Sequence, residues 1–202
     1  MIRNIIVAFL ALNLVSCATR VSNEPYQPAT NPEKIEFARA RLDVFPEDVR
    51  KDAAAHAGVA VAWAGIIRST TANEGGSDNK IVADTVLEHH YFDWIQDDTA
   101  SGVKLSLSPR GEGLFRVQWS LDKAGRAATA ESAESYAEAG KLAIVYGVPE
   151  KVEADGTVVL KYRYLRILDA KHFNTNVFDY GRMGGPSRSI LGQHTTNAPA
   201  MK

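Results

Sequence analysis

Residues 58–69 read Gly-Val-Ala-Val-Ala-Trp-Ala-Gly-Ile-Ile-Arg-Ser. Val59, Val61, Trp63 and Ile67 share one parity, and Ala60, Ala62, Ala64 and Ile66 share the other. Successive side chains of a strand point to opposite faces, so this is a strand with a large face and a small face. A small face lets a second backbone layer come close, as in a tight barrel. Gly65 marks a bend within it.

Working outward, two helices precede this strand. Asn31-Pro32-Glu33 opens the first, with Asn31 as N-cap and Pro32 at the first helical position. Ile35, Ala38 and Leu42 then fall at helical spacing. The second spans 45–58, with Pro46, Glu47 and Asp48 in its first turn and His56 and Gly58 at its end.

Beyond the turn-rich stretch 71–80, residues 81–95 read as one long β-branched and aromatic strand. A third strand centres on Leu114–Trp119, with Val103–Leu107 as an earlier pairing segment. Thr129, or alternatively Ser132, caps a short helix that Gly140 ends. Residues 141–153 form a fourth strand, which Pro149 stops or places on an edge. Asp155-Gly156 is a hairpin turn, since both residues accept positive φ. In the fifth strand Val158, Leu160, Tyr162 and Tyr164 share a parity, and the apolar phase then flips to Leu165 and Ile167. A phase change inside a strand predicts a β-bulge near Tyr164.

Three strands, a short helix and two strands is the succession of an OB-like antiparallel β-barrel. Another small antiparallel barrel or a sandwich is the alternative. The chain is therefore expected to be mainly β, with one or two short helices.

The start of the sequence sets the expected location. Arg3 precedes an apolar run from Ile5 to Leu14, followed by Leu14-Val15-Ser16-Cys17. Charge, a short apolar run and small residues make the layout of a secretory signal. The run is too short to cross a bilayer, which takes ~20 residues. Leu14-Val15-Ser16-Cys17 resembles a bacterial lipobox. That resemblance implies acylation of Cys17 and cleavage before it; the alternative is a plain signal peptide that contains a cysteine. Several acyl chains hold a protein stably at a membrane, at ~0.8 kcal/mol per buried CH₂. Ala18, in place of an aspartate, implies sorting to the outer membrane in a Gram-negative cell.

The expected domains are a lipoprotein signal peptide at 1–16, the lipidated cysteine and a flexible tether at 17–31, the barrel at 32–180 and a flexible tail at 181–202. Rich in Pro, Asn and Thr, the tether would lift the domain ~45 Å from the bilayer when extended. Cys17 is the only cysteine, so acylation leaves no thiol for a disulfide, a metal or a nucleophile. With 45% hydrophobic and 23% charged residues, the chain can build an ordinary core. A net charge of −1 argues against capture of nucleic acid.

With those features in hand, the chain resembles the Slp family of outer-membrane lipoproteins, the starvation-inducible lipoproteins of Gram-negative bacteria. The stretch 56–67 is similar to the family's first-strand motif: a glycine, a valine-rich run, an aromatic, a glycine and an aliphatic pair. Residues 82–93 stand where the family has a Thr-x-Leu-Glu strand. Residues 140–153 resemble its Gly-x-x-x-Thr-Val-x-Gly strand, and 162–167 its closing tyrosine-containing strand. The likeness covers roughly residues 45–170. Departures include Ala64 at an expected glycine, and 131–140 where the family has Gly-Phe-Leu-Asp-Pro. The resemblance implies a fold and a location; the family carries no well-defined activity.

Catalytic and metal-binding patterns are weak. Glu88 and His90 share a strand face, as do His89 and Asp93, but His89 and His90 point to opposite faces. They read as surface or edge-strand histidines, with no partner cluster for the three or four ligands of a zinc site. Ser106, Ser108 and Ser120 lack a nucleophile elbow. Residues 108–113 contain glycines but lack the Lys-Ser/Thr of a phosphate loop. Asp97-Asp98 reads as solvated loop charge. A mix of aromatic and basic residues on strands, namely Trp119, Tyr162, Arg163, Tyr164 and Arg166 with Phe115 and Arg116, is the candidate ligand face, since OB barrels bind oligosaccharides and oligonucleotides on strands. Aromatics at period two also describe a core.

The expectation is a lipid-anchored outer-membrane protein facing the periplasm. It has a structural, interaction or stress-related role, without catalytic activity or cofactor. Its partners are membrane lipid through Cys17 and an envelope protein or peptidoglycan, not nucleic acid. A glycan- or peptidoglycan-binding OB module is the alternative.

Overall fold

The computed structural model describes residues 22–75, 80–99, 102–122 and 129–175. Cys17, the signal segment and the expected tail at 181–202 lie outside the described residues. The strands are β1 (Ser22–Pro25), β2 (Val61–Gly75), β3 (Lys80–His90), β4 (Phe92–Thr99), β5 (Gly102–Leu107), β6 (Leu114–Asp122), β7 (Leu142–Val152), β8 (Val158–Leu168) and β9 (Phe173–Asn174). The helices are α1 (Asn31–Arg39), α2 (Pro46–Lys51) and α3 (Ala130–Tyr136).

Five strands close a barrel in the order β2-β3-β6-β8-β7. β6 runs parallel to β8, and the other pairs are antiparallel. With α3 between the third and fourth barrel strands, this is the OB-like architecture expected from the element succession. Closure removes the exposed edges that an open sheet would leave.

The two faces of β2 divide as their side chains predict. Val61, Trp63 and Ile67 pack inside the barrel with Leu87, Phe115, Val117, Val145, Val158 and Leu160. Ala62 and Ala64 point out, and a second layer does close on them. Gly65 has a different role from the expected bend. A Cβ there would lie 2.7 Å from Phe115 Cε1 and 3.0 Å from the Glu88 carbonyl, so glycine permits close approach.

That second layer is a four-stranded sheet ordered β1-β4-β5-β9. Tyr26, Phe92, Leu105 and Leu107 pack from its side against Ala62, Ala64, Leu142, Ile144, Tyr146 and Leu168 of the barrel. Three expectations change here. The single strand expected at 81–95 is two strands, broken at Tyr91, with Trp94 held at φ +57°. Val103–Leu107 pairs with β4 and β9, not with the barrel. The segment expected as tether belongs to the folded unit from Ser22 onward: β1 pairs with β4, and Tyr26 is 3% exposed.

Caps close the two barrel ends. Val44 and Val49 join the interior at one end, where Trp63 Nε1–H donates to the Val44 carbonyl at 2.7 Å. Ala133 and Ala137 join it at the other, where Thr70 Oγ1 donates to the Ala137 carbonyl at 2.7 Å. Thr129 caps α3 as expected, accepting from Ser132 N at 3.1 Å. Thr30, not Asn31, is the N-cap of α1 and accepts from Glu33 N at 3.2 Å. α2 stops at Lys51 because Asp52 Oδ1 accepts from Ala55 N at 3.0 Å and turns the chain.

The bulge in β8 falls at Arg163: Tyr146 pairs with Tyr164 and Gly147 with Tyr162, leaving Arg163 without a partner residue. Beyond it, Leu165 and Ile167 pack inside while Tyr164 and Leu168 face the second layer. Pro149 lies past Gly147, the last β7 residue paired with β2, so it faces an edge. Gly156 takes φ +85° in the β7–β8 hairpin, and Asp155 Oδ1 accepts from Thr157 N at 2.9 Å.

Candidate functional site

The residues expected to form one ligand face are dispersed over several environments. Trp119 is inside the barrel, 4% exposed, and its Nε1–H donates to Thr85 Oγ1 at 2.8 Å. Phe115 is also interior. Both carry the inward parity of β6, so neither can present a ring to a ligand. Arg163, at the bulge, reaches Glu36 of α1 at 3.4 Å. Tyr164 shares a 2.9 Å hydrogen bond with Thr30 Oγ1. Tyr162 is the most exposed of these aromatic residues, at 36%.

Arg166 enters a buried polar cluster that sequence reading missed. Glu33 of α1 is fully buried. Its carboxylate accepts hydrogen bonds from Ala29 N at 2.7 Å, from Tyr146 Oη at 3.1 Å and from Tyr26 Oη. The Arg166 guanidinium lies 3.7 Å from Glu33, donates to Tyr26 Oη at 2.7 Å and stands over the Tyr26 ring, 5.5 Å from its centroid. Burial, reinforced by the carboxylate, pushes both tyrosine hydroxyls far above their usual range. They therefore remain protonated donors. Three side chains and one backbone N–H converge on one carboxylate that no solvent reaches, an arrangement that fixes Tyr26 and α1 to β7 and β8. It also corrects the helical face: Ile35 is 52% exposed and Ala38 is exposed, while Glu33 and Phe37 face the barrel side.

The histidine pair is buried, not superficial. β3 alternation sends His89 into the barrel mouth among the rings of Phe45, Trp63, Tyr91 and Phe115. Burial first, then the neighbouring His90 and Arg50, push its pKa down to about 3, so it is neutral. His90 points the other way, where the chain folds back over it. Its Nδ1 lies 2.7 Å from the Ser108 carbonyl, which can only accept, so Nδ1 carries the proton. Its Nε2 is 3.4 Å from Glu88. Among the described residues, no group of three or more His, Cys, Asp or Glu is placed to hold a metal ion.

An open groove lies on the outside of the barrel. The outer faces of β3 and β6, with the adjoining ends of β7 and β8, form a groove of about 410 Å³. Asp84, Arg116, Gln118, Glu150, Lys161 and Tyr162 line it. Arg116 is 3.6 Å from Asp84 and 3.2 Å from Glu153, which also meets Lys151 at 3.5 Å. Of the residues anticipated from the sequence, Arg116 and Tyr162 are the two this groove brings together. The others it gathers could have been found from the outward parity of β6, where Arg116 and Gln118 alternate with Phe115, Val117 and Trp119.

The sequence matches no family model, and no curated protein matches it. The chemistry of this chain is therefore argued from its own residues. Among the described residues, no helix is long and apolar enough to cross a membrane.

Proposed function

We propose that this chain is a lipid-anchored outer-membrane protein related to the Slp lipoproteins, with a structural or interaction role and no catalytic one. The observation that carries the reading is Leu14-Val15-Ser16-Cys17, placed directly after the apolar run that begins at Ile5. Acylation of Cys17 would supply several chains of buried CH₂ groups, enough for a permanent anchor.

The start of the folded unit sharpens this reading. β1 begins at Ser22, the fifth residue after Cys17. A fully extended chain spans at most ~3.6 Å per residue, so Ser22 lies within about 18 Å of the anchoring residue. The reach of ~45 Å expected for a longer tether falls accordingly. The domain is held against the bilayer surface, and lipid is its first partner. A structural role for the interior polar cluster supports this reading. Glu33, Tyr26, Tyr146 and Arg166 bond one another, and His89 is enclosed by aromatic rings.

The test is Cys17→Ala with envelope fractionation. The variant keeps the circular dichroism of the parent domain but leaves the outer-membrane fraction. Unchanged retention in that fraction contradicts the anchor.

A further inference from the structure

The outer groove has a chemistry and a position that anchoring does not use. Its volume of about 410 Å³ falls within the usual range of small-ligand sites. Asp84, Glu150 and Glu153 balance Arg116, Lys151 and Lys161. A polyanion such as nucleic acid needs a net basic track, and this groove has none. Its open, polar walls do not suit an apolar ligand.

The charges fall into two sets. Arg116, Asp84, Glu153 and Lys151 are engaged with one another. Gln118, Glu150 and Lys161 are exposed and make no side-chain hydrogen bond or ion pair among the described residues. An amide, a carboxylate and an ammonium in one groove offer donors and acceptors side by side. Neighbouring hydroxyls of a sugar ring need that combination. Tyr162 adds a ring at the groove wall, and Tyr136 is 48% exposed. The two hydroxyls are near enough for Tyr136 to contribute to the raised pKa of Tyr162. Such rings have an apolar face and a polar tip, which suits a pyranose that has both.

We propose that this groove binds a linear, neutral or weakly charged glycan. Gln118, Glu150 and Lys161 hydrogen-bond its hydroxyls, and Tyr162 supports a sugar ring. In the ring of strands, β6 lies opposite the β2–β7 seam. The second sheet, which carries β1, covers that seam. The groove therefore lies on the side of the barrel away from the second sheet, which leaves it accessible in a chain anchored through Cys17. Its lining stands without the anchor, so the two readings fail separately.

The full-length protein in mild detergent is titrated with three probes while amide chemical shifts are followed. These are a short linear N-acetylglucosamine oligomer, a peptide-bearing disaccharide from cell wall, and lipid-free lipopolysaccharide core oligosaccharide. The proposal expects at least one of the first two probes to shift β6 and β8 amides. It also expects Gln118→Ala and Tyr162→Ala each to weaken binding about tenfold with unchanged circular dichroism. Preference for either of the first two probes identifies wall glycan as the source; preference for the third, which is branched and strongly anionic, overturns a linear, weakly charged ligand. Absence of binding by all three overturns the proposal, as do shifts confined to other strands. Binding of the wall fragment matched by its free peptide also overturns it, since the peptide is then what is recognised. Fractionation of Cys17→Ala reads the anchor independently of these outcomes.

Discussion

Glu33 lies 113 residues before Tyr146 in sequence and accepts a 3.1 Å hydrogen bond from its hydroxyl. The same carboxylate, fully buried, draws Tyr26 and Arg166 to it. Removing one partner of a buried pair leaves the other charge uncompensated, at about 3–5 kcal/mol. Glu33→Ala is expected to lower unfolding free energy by about that amount, measured by urea denaturation. Amide protection should fall first in α1 and around Tyr26. A loss well under 1 kcal/mol would show that the cluster does not hold α1 to the barrel.

Gly65 allows the Phe115 ring to lie against the β2 backbone. Because a Cβ would meet that ring at 2.7 Å and the Glu88 carbonyl at 3.0 Å, Gly65→Ala overpacks the core. The expected cost is about 1–3 kcal/mol. Phe115→Leu in the same chain should recover part of it, because the ring contact is removed while the carbonyl contact stays. Thermal unfolding of the single and double variants checks both statements.

His89 makes stability depend on pH. Its folded pKa is pushed down to about 3, whereas an exposed histidine titrates near ~6.5. Between those values the unfolded chain binds a proton that the folded chain does not, so stability falls as pH falls. The contribution is complete above ~6.5 and is lost progressively toward about pH 3, by roughly 4–5 kcal/mol. His89→Phe removes this component, so its stability difference from the parent should become more favourable to the variant as pH drops from 7 to 4. A difference constant with pH would place the histidine in water.

Trp119 separates a core residue from a ligand residue. Its interior position and its bond to Thr85 predict that Trp119→Ala costs about 3–5 kcal/mol of stability. An unchanged denaturation midpoint would return Trp119 to the surface.

Local pattern carried the barrel but not the layer laid over it. The alternation in 59–67, the phase flip near Tyr164 and the Asp155-Gly156 turn each encode a strand feature within a few residues; the first and last are found in place, and the bulge lies one residue earlier, at Arg163. The second sheet has no such local mark. His89-His90-Tyr91-Phe92 contains no glycine or proline, yet the chain breaks there because His89, His90, Tyr91 and Phe92 all become buried against different partners. Ser22–Pro25 has poor strand propensity, and its pairing comes from β4. From local sequence Glu33 is only a first-turn acid and Arg166 part of a ligand face, because the groups that bury them are remote in sequence. The ligand face was misassigned for a related reason. Aromatic residues drew attention to Trp119, whereas parity had already turned it inward and left Gln118 outside.

The most direct test of the lipid anchor is intact mass spectrometry of the mature protein recovered from outer membranes. The account predicts a polypeptide starting at Cys17 whose mass exceeds that of the bare chain by a diacylglyceryl group and an amide-linked fatty acid. A water-soluble product of unmodified mass, or one that retains residues before Cys17, would contradict it.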